Sequence, residues 1–312
     1  MRPPTSDPCS SDRRGAATVG RQPRRSRGAS PQGTGLLFAL PALLALALLI
    51  VYPLLYTLAL SVMDDAGRLV GSRNYQRVVS APLTLTALWN TFYYVGASLV
   101  LQVTLGTAVG IMLNQRFRGR GIARSLILIP WIVPGIVAAT TWAWMFHSEF
   151  GIVNYLMQRI GIVDGPIGWL TSPTLVLPSL LAVNVWKMFP FVAVMVLAGL
   201  QAVPETHYEA ARIDGADFIA EVRHVMLPHL RPTLAAITLL LLIWGLNGIT
   251  LIYAMTKGGP ASHSLITPIQ IYRTGFEQFR FGEAAALSVL FFGVVLVLIA
   301  LYIRLLGRRA EA

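Results

Sequence analysis

Between two long apolar stretches, residues 204–232 read PETHYEAARIDGADFIAEVRHVMLPHLRP. This segment holds five of the 14 acidic residues of the chain: Glu205, Glu209, Asp214, Asp217 and Glu221. An Asp-Gly pair at 214–215 is a turn signal, and Pro204 suits the first turn of a helix. The pattern therefore predicts two short helices joined at Gly215, with Pro228 and Pro232 ending the second before the next apolar stretch. Such a compact, charged loop between apolar stretches is typical of a docking surface.

The composition around this loop is that of a membrane protein. The chain has 312 residues, of which 55% are hydrophobic and 12% charged, and its mean hydropathy is +0.62. Soluble domains carry about 25% charged residues, so an ordinary soluble fold is excluded, and so is disorder over most of the length. The single cysteine, Cys9, excludes a disulfide framework and a multi-cysteine metal site.

The apolar stretches are long enough to cross a bilayer, which takes about 20 residues each. The first stretch is too long for a signal peptide and is interpreted as an uncleaved span. We predict an all-α integral membrane protein with six transmembrane helices, near residues 36–62, 88–113, 124–146, 174–200, 233–255 and 284–304.

The distribution of basic residues predicts the orientation. With six spans, 17 of the 25 Lys and Arg residues fall on the side of the termini and seven on the other, and Lys187 lies within span four. An excess of Lys and Arg marks the cytoplasmic side, so both termini and the 201–232 loop are predicted to be cytoplasmic. Residues 1–34, rich in Arg, Pro, Gly and Ser, are predicted to be a disordered basic tail, ahead of a permease body over 35–312. The net charge of +11 suits an anionic membrane surface better than nucleic acid.

The loop also resembles the EAA signature of type I binding-protein-dependent ABC importer permeases. That signature is EAA, three residues, G, nine residues and I-x-L-P, and here Val225 replaces the isoleucine. The matching residues are Glu209, Ala210, Ala211, Gly215, Leu227 and Pro228. The resemblance covers nearly everything after residue 35 and is strongest to carbohydrate permeases such as those of the maltose and glycerol-3-phosphate importers. Further matching stretches are Tyr52-Pro53-Leu54, Asn90-Thr91, Trp186 to Phe191, Ala198 to Gln201 and Thr256 to Pro260.

The resemblance implies a subunit that transmits work and catalyses nothing. Its six matching loop residues would form the coupling helix that enters a cleft of a cytoplasmic ABC ATPase dimer. The other implied partners are a second permease subunit and an extracytoplasmic solute-binding protein, in the bacterial cell membrane. The chain lacks a GxxxxGK[ST] phosphate loop, so we expect the partner ATPase to use ATP and Mg, with no cofactor or metal bound here and no enzyme activity.

One candidate for the sugar path is Lys187, about 20 Å along span four from its end. A lysine at this depth is predicted to face the bundle interior or a wet cavity. Pro190 frees the carbonyl of Trp186 beside it. Two interpretations stay open: a cation that meets the solute, or a structural charge satisfied by freed carbonyls or by the partner permease.

Span five carries Trp244, Asn247, Thr250 and Tyr253 at i, i+3, i+6 and i+9, near one helical face. A flat ring with amide and hydroxyl groups is the chemistry that binds sugars, and Asn247 matches a polar substrate-contact position of the maltose-type permeases. The alternative is simple interhelical hydrogen bonding, and Asn184 in span four has the same two interpretations. Gly106 and Gly110 form a GxxxG pattern that predicts helix packing.

We therefore predict the permease subunit of an ATP-driven sugar importer. The alternative within the same class is a permease for a polyol, glycerol phosphate or another small polar solute. An ATP-independent secondary transporter or channel is the alternative of another class. It would need an intramembrane acid or an inverted repeat, and the predicted spans contain no Asp or Glu.

Overall fold

The computed structural model describes the backbone of residues 31–310 and the side chains of residues 39–304. The chain divides into two compact units, one up to Pro53 and one from Leu54 onward. The predicted disordered tail lies outside the described residues, except for residues 31–34, which begin the first helix.

The described residues are mostly helical, which confirms the predicted fold class. Their α-helices are α1 Pro31–Leu46, α2 Tyr52–Ser61, α3 Arg73–Ser80, α4 Pro82–Asn114, α5 Arg120–Ile127, α6 Ile129–Ile132, α7 Gly135–Met145, α8 Ile152–Arg159, α9 Val176–Gln201, α10 Glu205–Ile213, α11 Phe218–Glu221, α12 Leu227–Asn247, α13 Thr250–Thr256, α14 Thr267–Tyr272 and α15 Phe281–Ala310. Three π-helical stretches occur at Ala47–Val51, Val222–Met226 and Arg273–Glu277. Over residues 31–310, extended pairing is limited to a bridge between Met63 and Leu69.

Five helical stretches are long and apolar enough to cross a membrane. They are Ala39–Ser61, Pro82–Asn114, Val176–Gln201, Phe218–Thr256 and Phe281–Arg304. A sixth crossing is made only if Arg120–Ile132 and Gly135–Met145, which meet at 91°, count as one span. The predicted third span, near 124–146, therefore corresponds to this bent pair and is not one straight helix. Pro134 disfavours the helical conformation at the residue before it, and Val133 accordingly has ψ 129° and ends the first piece.

Helix α4 packs closely against α9, and two glycines allow this approach. A Cβ atom added at Gly106 would overlap the side chain of Val192. One added at Gly110 would lie 2.7 Å from the side chain of Val196 and 2.8 Å from the carbonyl oxygen of Ala193. The prediction that this GxxxG pattern serves helix packing is confirmed.

Pro228 and Pro232 do not end a helix, so that prediction is wrong. Helical structure continues from Phe218 through the π-helical stretch into α12, and Pro232 lies inside α12. The backbone hydrogen-bond register changes in the π-helical stretch Val222–Met226, just before Pro228. The helix therefore tolerates the missing backbone N–H of this proline. Leu230, between the two prolines, is fully buried, and its packing stabilises the continuous helix.

At the end of the bundle opposite to the EAA loop, polar side chains of α4 hold the segment that follows α13. The Asn90 side-chain amide donates to the carbonyls of His263 (3.2 Å) and Leu265 (3.0 Å). The Thr91 hydroxyl accepts from the backbone N–H of Thr267 at 2.9 Å. Two of the stretches that carried the family resemblance, Asn90-Thr91 and the Gly-Gly-Pro turn, thus belong to one end of the bundle.

Candidate functional site

The inner face of the EAA loop is anchored on the ends of the membrane helices. Tyr208 of α10 and Met226 of the π-helical stretch are buried in one apolar cluster with Val196 and Leu200 of α9. Ile237 of α12 belongs to the same cluster. The loop is therefore packed against α9 and α12 and is not a free tether.

The turn between α10 and α11 is defined by one glycine and one cap. Gly215 has φ +79°, a conformation that residues with a Cβ rarely adopt. The Asp217 carboxylate caps α11 by accepting from the N–H of Ala220 at 2.7 Å. Arg212 of α10 donates to the buried Glu221 at 2.9 Å and joins the two helices. The predicted pair of short helices around Gly215 is present.

The outer face of the EAA loop presents large apolar side chains. Ile213 is 86% exposed, Ile219 73% and Phe218 51%. We call these three residues the apolar face of the loop. Of the predicted coupling residues, Glu209 and Ala210 are exposed beside this face. An exposed apolar face of this kind is typical of an interaction surface.

The remaining predicted coupling residues have other surroundings. Ala211 is half-buried and packs against the anchoring cluster. Leu227 is exposed and Pro228 is half-buried, both at the start of α12. Only part of the EAA signature thus faces outward, while the rest joins the loop to the bundle.

Tyr208 is the most buried polar residue of α10, and its hydroxyl has no hydrogen-bond partner within residues 39–304. Burial raises the pKa of this phenol, and the carboxylates of Glu221 and Glu205 raise it further, while Arg212 opposes them. The phenol is protonated at neutral pH even at its ordinary pKa of about 10, so the hydroxyl is available as a donor.

A cavity of about 320 Å³ lies between α4, α9, α12 and the bend after α6. Of the predicted path residues, Asn184, Lys187, Trp244 and Thr250 line it. Asn247 and Tyr253 do not belong to its lining. Sequence reasoning missed three lining residues of α4 with polar groups: Tyr94, Ser98 and Gln102. Their spacing of i, i+4 and i+8 along an otherwise apolar helix is the signal that could have identified this polar face.

Polar side chains of the cavity tie α4 to α9. The Asn184 amide donates to the Ser98 hydroxyl at 3.0 Å. Gln102 donates to the backbone carbonyl of Asn184 at 3.3 Å. These bonds use only some of the donors and acceptors of Asn184 and Gln102, so each side-chain amide keeps further groups that can bind a solute.

Lys187 donates from Nζ to the carbonyl oxygen of Val133 at 2.6 Å, at the bend of the third span. The predicted neighbour, the freed carbonyl of Trp186, is not the partner that the structure shows. The break before Pro134 exposes the Val133 carbonyl, and the lysine binds it while still lining the cavity. Lys187 thus combines features of both interpretations, a structural charge placed at the wall of a cavity.

Span five is interrupted, so its four polar candidates do not share one helical face as predicted. α12 ends at Asn247, and α13 begins at Thr250 after Gly248, whose ψ is 101°. The Trp244 ring packs 5.1 Å from that of Phe191 and remains 43% exposed. The Asn247 amide donates to Ile243 of its own helix at 2.8 Å. Tyr253 donates to the carboxylate of Glu277 at 2.9 Å.

The fold and this site define a class of protein: a multi-pass membrane protein whose crossing helices enclose a polar cavity, with a charged loop anchored on the ends of those helices. Residues 102–311 match the family described as the binding-protein-dependent transport system inner membrane component. The chain belongs to this family of transport permeases.

Two of the similar proteins are named for the transport of a sugar or a sugar derivative. The chain is 34% identical over 276 residues to the trehalose/maltose transport system permease protein MalF of Thermococcus litoralis, which covers 86% of this chain and 92% of that protein. It is 31% identical over 272 residues to the sulfoquinovosyl glycerol transport system permease protein SmoG of Agrobacterium fabrum, with 85% and 88% covered.

A solved structure shows the same fold. It is the crystal structure of a bacterial ABC transporter involved in the import of the acidic polysaccharide alginate. The TM-score is 0.80 at 21% identity, and the match covers 89% of this chain and 96% of that chain. The type I importer permease fold predicted from the sequence is thereby confirmed.

Proposed function

We propose that this chain is the permease subunit of an ATP-driven sugar importer and forms half of the translocation path. The observation that carries the proposal is that α9 and α12 line the cavity and also anchor the EAA loop. A displacement of the loop therefore acts directly on two walls of the cavity.

Sugar as the solute is supported by the wall chemistry and by the relatives. Trp244 offers an exposed ring for stacking, and Asn184 and Gln102 offer amides to hydroxyl groups. Relatives at 34% and 31% identity carry names for trehalose/maltose and sulfoquinovosyl glycerol transport. Lys187 in the lining favours a phosphorylated polyol as the second candidate, although its ammonium group is already bound to Val133.

The EAA loop supports the proposal of an ATPase partner. Ile213, Phe218 and Ile219 lie beside the charged Glu209 and suit an apolar cleft with a polar rim. The partner set that fits is a cytoplasmic ATPase dimer, which uses ATP and Mg, a second permease and an extracytoplasmic solute-binding protein. Under this proposal the EAA loop and both termini lie in the cytoplasm of a bacterial cell.

In this mechanism the chain transmits motion and does not catalyse a reaction. Closure of the ATPase dimer pulls on the loop, which moves with α9 and α12 because their shared cluster is close-packed. The cavity then opens to the outside and accepts sugar from the binding protein. Hydrolysis of ATP returns the cavity to the inside.

The test is reconstitution of the full complex in lipid vesicles with its ATPase, second permease and binding protein. Candidate sugars are screened for stimulation of ATP hydrolysis and for uptake. We expect a sugar that stimulates both in parallel. Uptake at full rate by vesicles that hold this chain without an ATPase would contradict the proposal, and so would stimulation by no sugar or polyol.

A further inference from the structure

A second cavity, of about 540 Å³, lies at the EAA end of the bundle. Its wall is formed by the ends of α4 and α9, the turn that follows α4, the inner side of α10 and residues Glu221 and Met226. It is separate from the cavity that contains Trp244, with which it has no lining residue in common. We call it the loop pocket. The proposed transport function does not use it.

Basic residues outnumber acidic ones in the loop pocket. Three arginines line it, Arg116, Arg120 and Arg212, with two acids, Glu205 and Glu221. Arg212 is bound to Glu221 at 2.9 Å, and Arg116 lies 3.9 Å from Glu205, which is a loose pair. Within residues 39–304, no ion pair involves Arg120. One guanidinium in the pocket is therefore left for a bound anion.

An unpartnered donor lies in the same pocket. Tyr208 lines it and is 8% exposed, and its hydroxyl makes no hydrogen bond within the described side chains. A buried hydroxyl without a partner is costly, so such a group points to a ligand or an ordered water. A phenol is protonated at neutral pH, so this hydroxyl can act as the donor that an anion requires.

We propose that the loop pocket binds a phosphate group, with Tyr208 as the buried donor and Arg120 as the main cation. Arginine presents several N–H donors in a fixed geometry that matches the oxygens of phosphate. The pocket is larger than a single ion and leaves room for the body of a phosphate ester. It also lies at the ends of two membrane helices, α4 and α9, where anionic phospholipid headgroups are found. The phosphate therefore comes either from a soluble ester or from a lipid headgroup.

The test uses the purified full-length chain in nanodiscs and measures its melting temperature. One arm titrates inorganic phosphate, and then glycerol phosphate, into nanodiscs of digalactosyldiacylglycerol, a bilayer lipid that carries no phosphate. The other arm replaces this galactolipid stepwise with phosphatidylglycerol in a phosphate-free buffer. We expect one arm to raise the melting temperature saturably, and we expect Arg120→Gln and Tyr208→Phe to weaken the apparent affinity about tenfold, the loss of about one charge-assisted hydrogen bond.

The matched control is Arg118→Gln, on the same turn as Arg120 but outside the pocket lining. It removes the same charge and should leave the apparent affinity unchanged. Tyr208→Phe removes only an unpartnered hydroxyl, so without ligand this variant should melt at or above the wild-type temperature. A response to soluble phosphate assigns the site to a phosphate ester, and a response to phosphatidylglycerol alone assigns it to a lipid.

Two results would overturn the proposal. The first is a wild-type melting temperature that neither arm changes. The second is an equal loss of response in Arg118→Gln and Arg120→Gln, because that indicates a diffuse surface charge and no built site. Since the readout is binding by this chain alone, a negative result leaves the transport proposal standing.

Discussion

The EAA loop and the membrane cavity use apolar and polar side chains in opposite ways. In the loop, the polar side chains of Arg212 and Asp217 form hydrogen bonds within the loop itself. The apolar side chains of Phe218 and Ile219 face outward. In the cavity, polar groups such as Asn184 are presented along the wall between apolar helices. The loop surface is thus suited to permanent cover by a protein, since exposed apolar groups in water favour a lasting partner. The cavity is suited to a polar solute that enters and leaves.

One packed cluster joins the two regions, so the loop and the helices that line the cavity are mechanically connected. Val192 and Val196 of α9 contact the glycine face of α4 on one side and belong to the cluster of Tyr208 and Met226 on the other. Each substitution below affects one of three parts: the loop, the packing of α4 against α9, or the cavity.

The largest effect is expected on the apolar face of the loop. In the double variant Phe218→Asp, Ile219→Asp, uptake by the reconstituted complex should fall about hundredfold or more, because buried anchors of an interface contribute about 2–4 kcal/mol each. The variant chain should still insert into the membrane, which sedimentation with the membrane fraction checks. Ile162→Asp is the control, since Ile162 is an equally apolar residue, 60% exposed but outside the loop. Uptake at the wild-type rate in the double variant would remove the docking role.

Gly110→Ala changes the connection between the two regions. Its new methyl group meets Val196 and the Ala193 carbonyl, so we expect a loss of about 1–3 kcal/mol of stability from overpacking. Thermal unfolding of the purified protein measures it. Gly96→Ala is the matched control on the same helix, where the methyl group meets nothing within 4 Å. Alanine is the better helix former there, so Gly96→Ala should be neutral or stabilising by up to about 1 kcal/mol. Similar melting temperatures for both variants would contradict the packing assignment.

Trp244→Ala tests the cavity alone. We expect the sugar concentration for half-maximal uptake to rise about tenfold, as stacking on the ring is lost, while assembly with the ATPase is unchanged. Trp144→Ala is the control, because Trp144 is 76% exposed and does not line the cavity. Copurification of the ATPase checks assembly. Equal uptake constants for wild type and Trp244→Ala would return this tryptophan to a packing role with Phe191.

The smallest effect concerns Tyr208 and pH. Its folded-state pKa lies above the ordinary value, so the folded chain retains a proton that the unfolded chain releases near pH 10. Stability should therefore be unaffected by this group below about pH 10 and should fall as the pH rises through the raised pKa. Above about pH 10, the free energy of unfolding should fall less steeply with pH for Tyr208→Phe than for the wild type. The difference in slope corresponds to at most one proton, and unfolding measured across pH gives it. A steeper decline in the variant would contradict the burial of this phenol.

Local signals in the sequence predicted much of this architecture. Apolar length located the crossing helices, the Asp214-Gly215 pair located the turn of the loop, and GxxxG located the contact of α4 with α9. These features depend on near neighbours in the chain, which is why a sequence pattern reveals them. The bend at Val133 was missed because a proline at 134 is compatible with either a kink or a break. At Pro232 the sequence predicts the end of a helix, whereas α12 continues through this residue.

Some of the residues that line the cavity could be identified from the sequence, and others only from the tertiary structure. Of the residues that the sequence suggests for the sugar path, Asn184, Lys187, Trp244 and Thr250 line one cavity. Asn247 and Tyr253 lie elsewhere because α12 ends before Gly248. Tyr94, Ser98 and Gln102 entered the site only when α4 was seen against α9. Their neighbours across the cavity are more than 80 positions away in the chain, as with Ser98 and Asn184.

By itself, the amino-acid sequence determined the all-helical membrane fold, the family and the existence of a charged loop, because hydrophobic length and turn chemistry act over a few residues. The tertiary structure alone decided which carbonyl Lys187 binds, which face of the loop is exposed and that Tyr208 and Arg120 share a pocket. Those facts depend on how distant helices pack, and close packing is a property of the whole assembly of side chains, which no single stretch of the chain specifies.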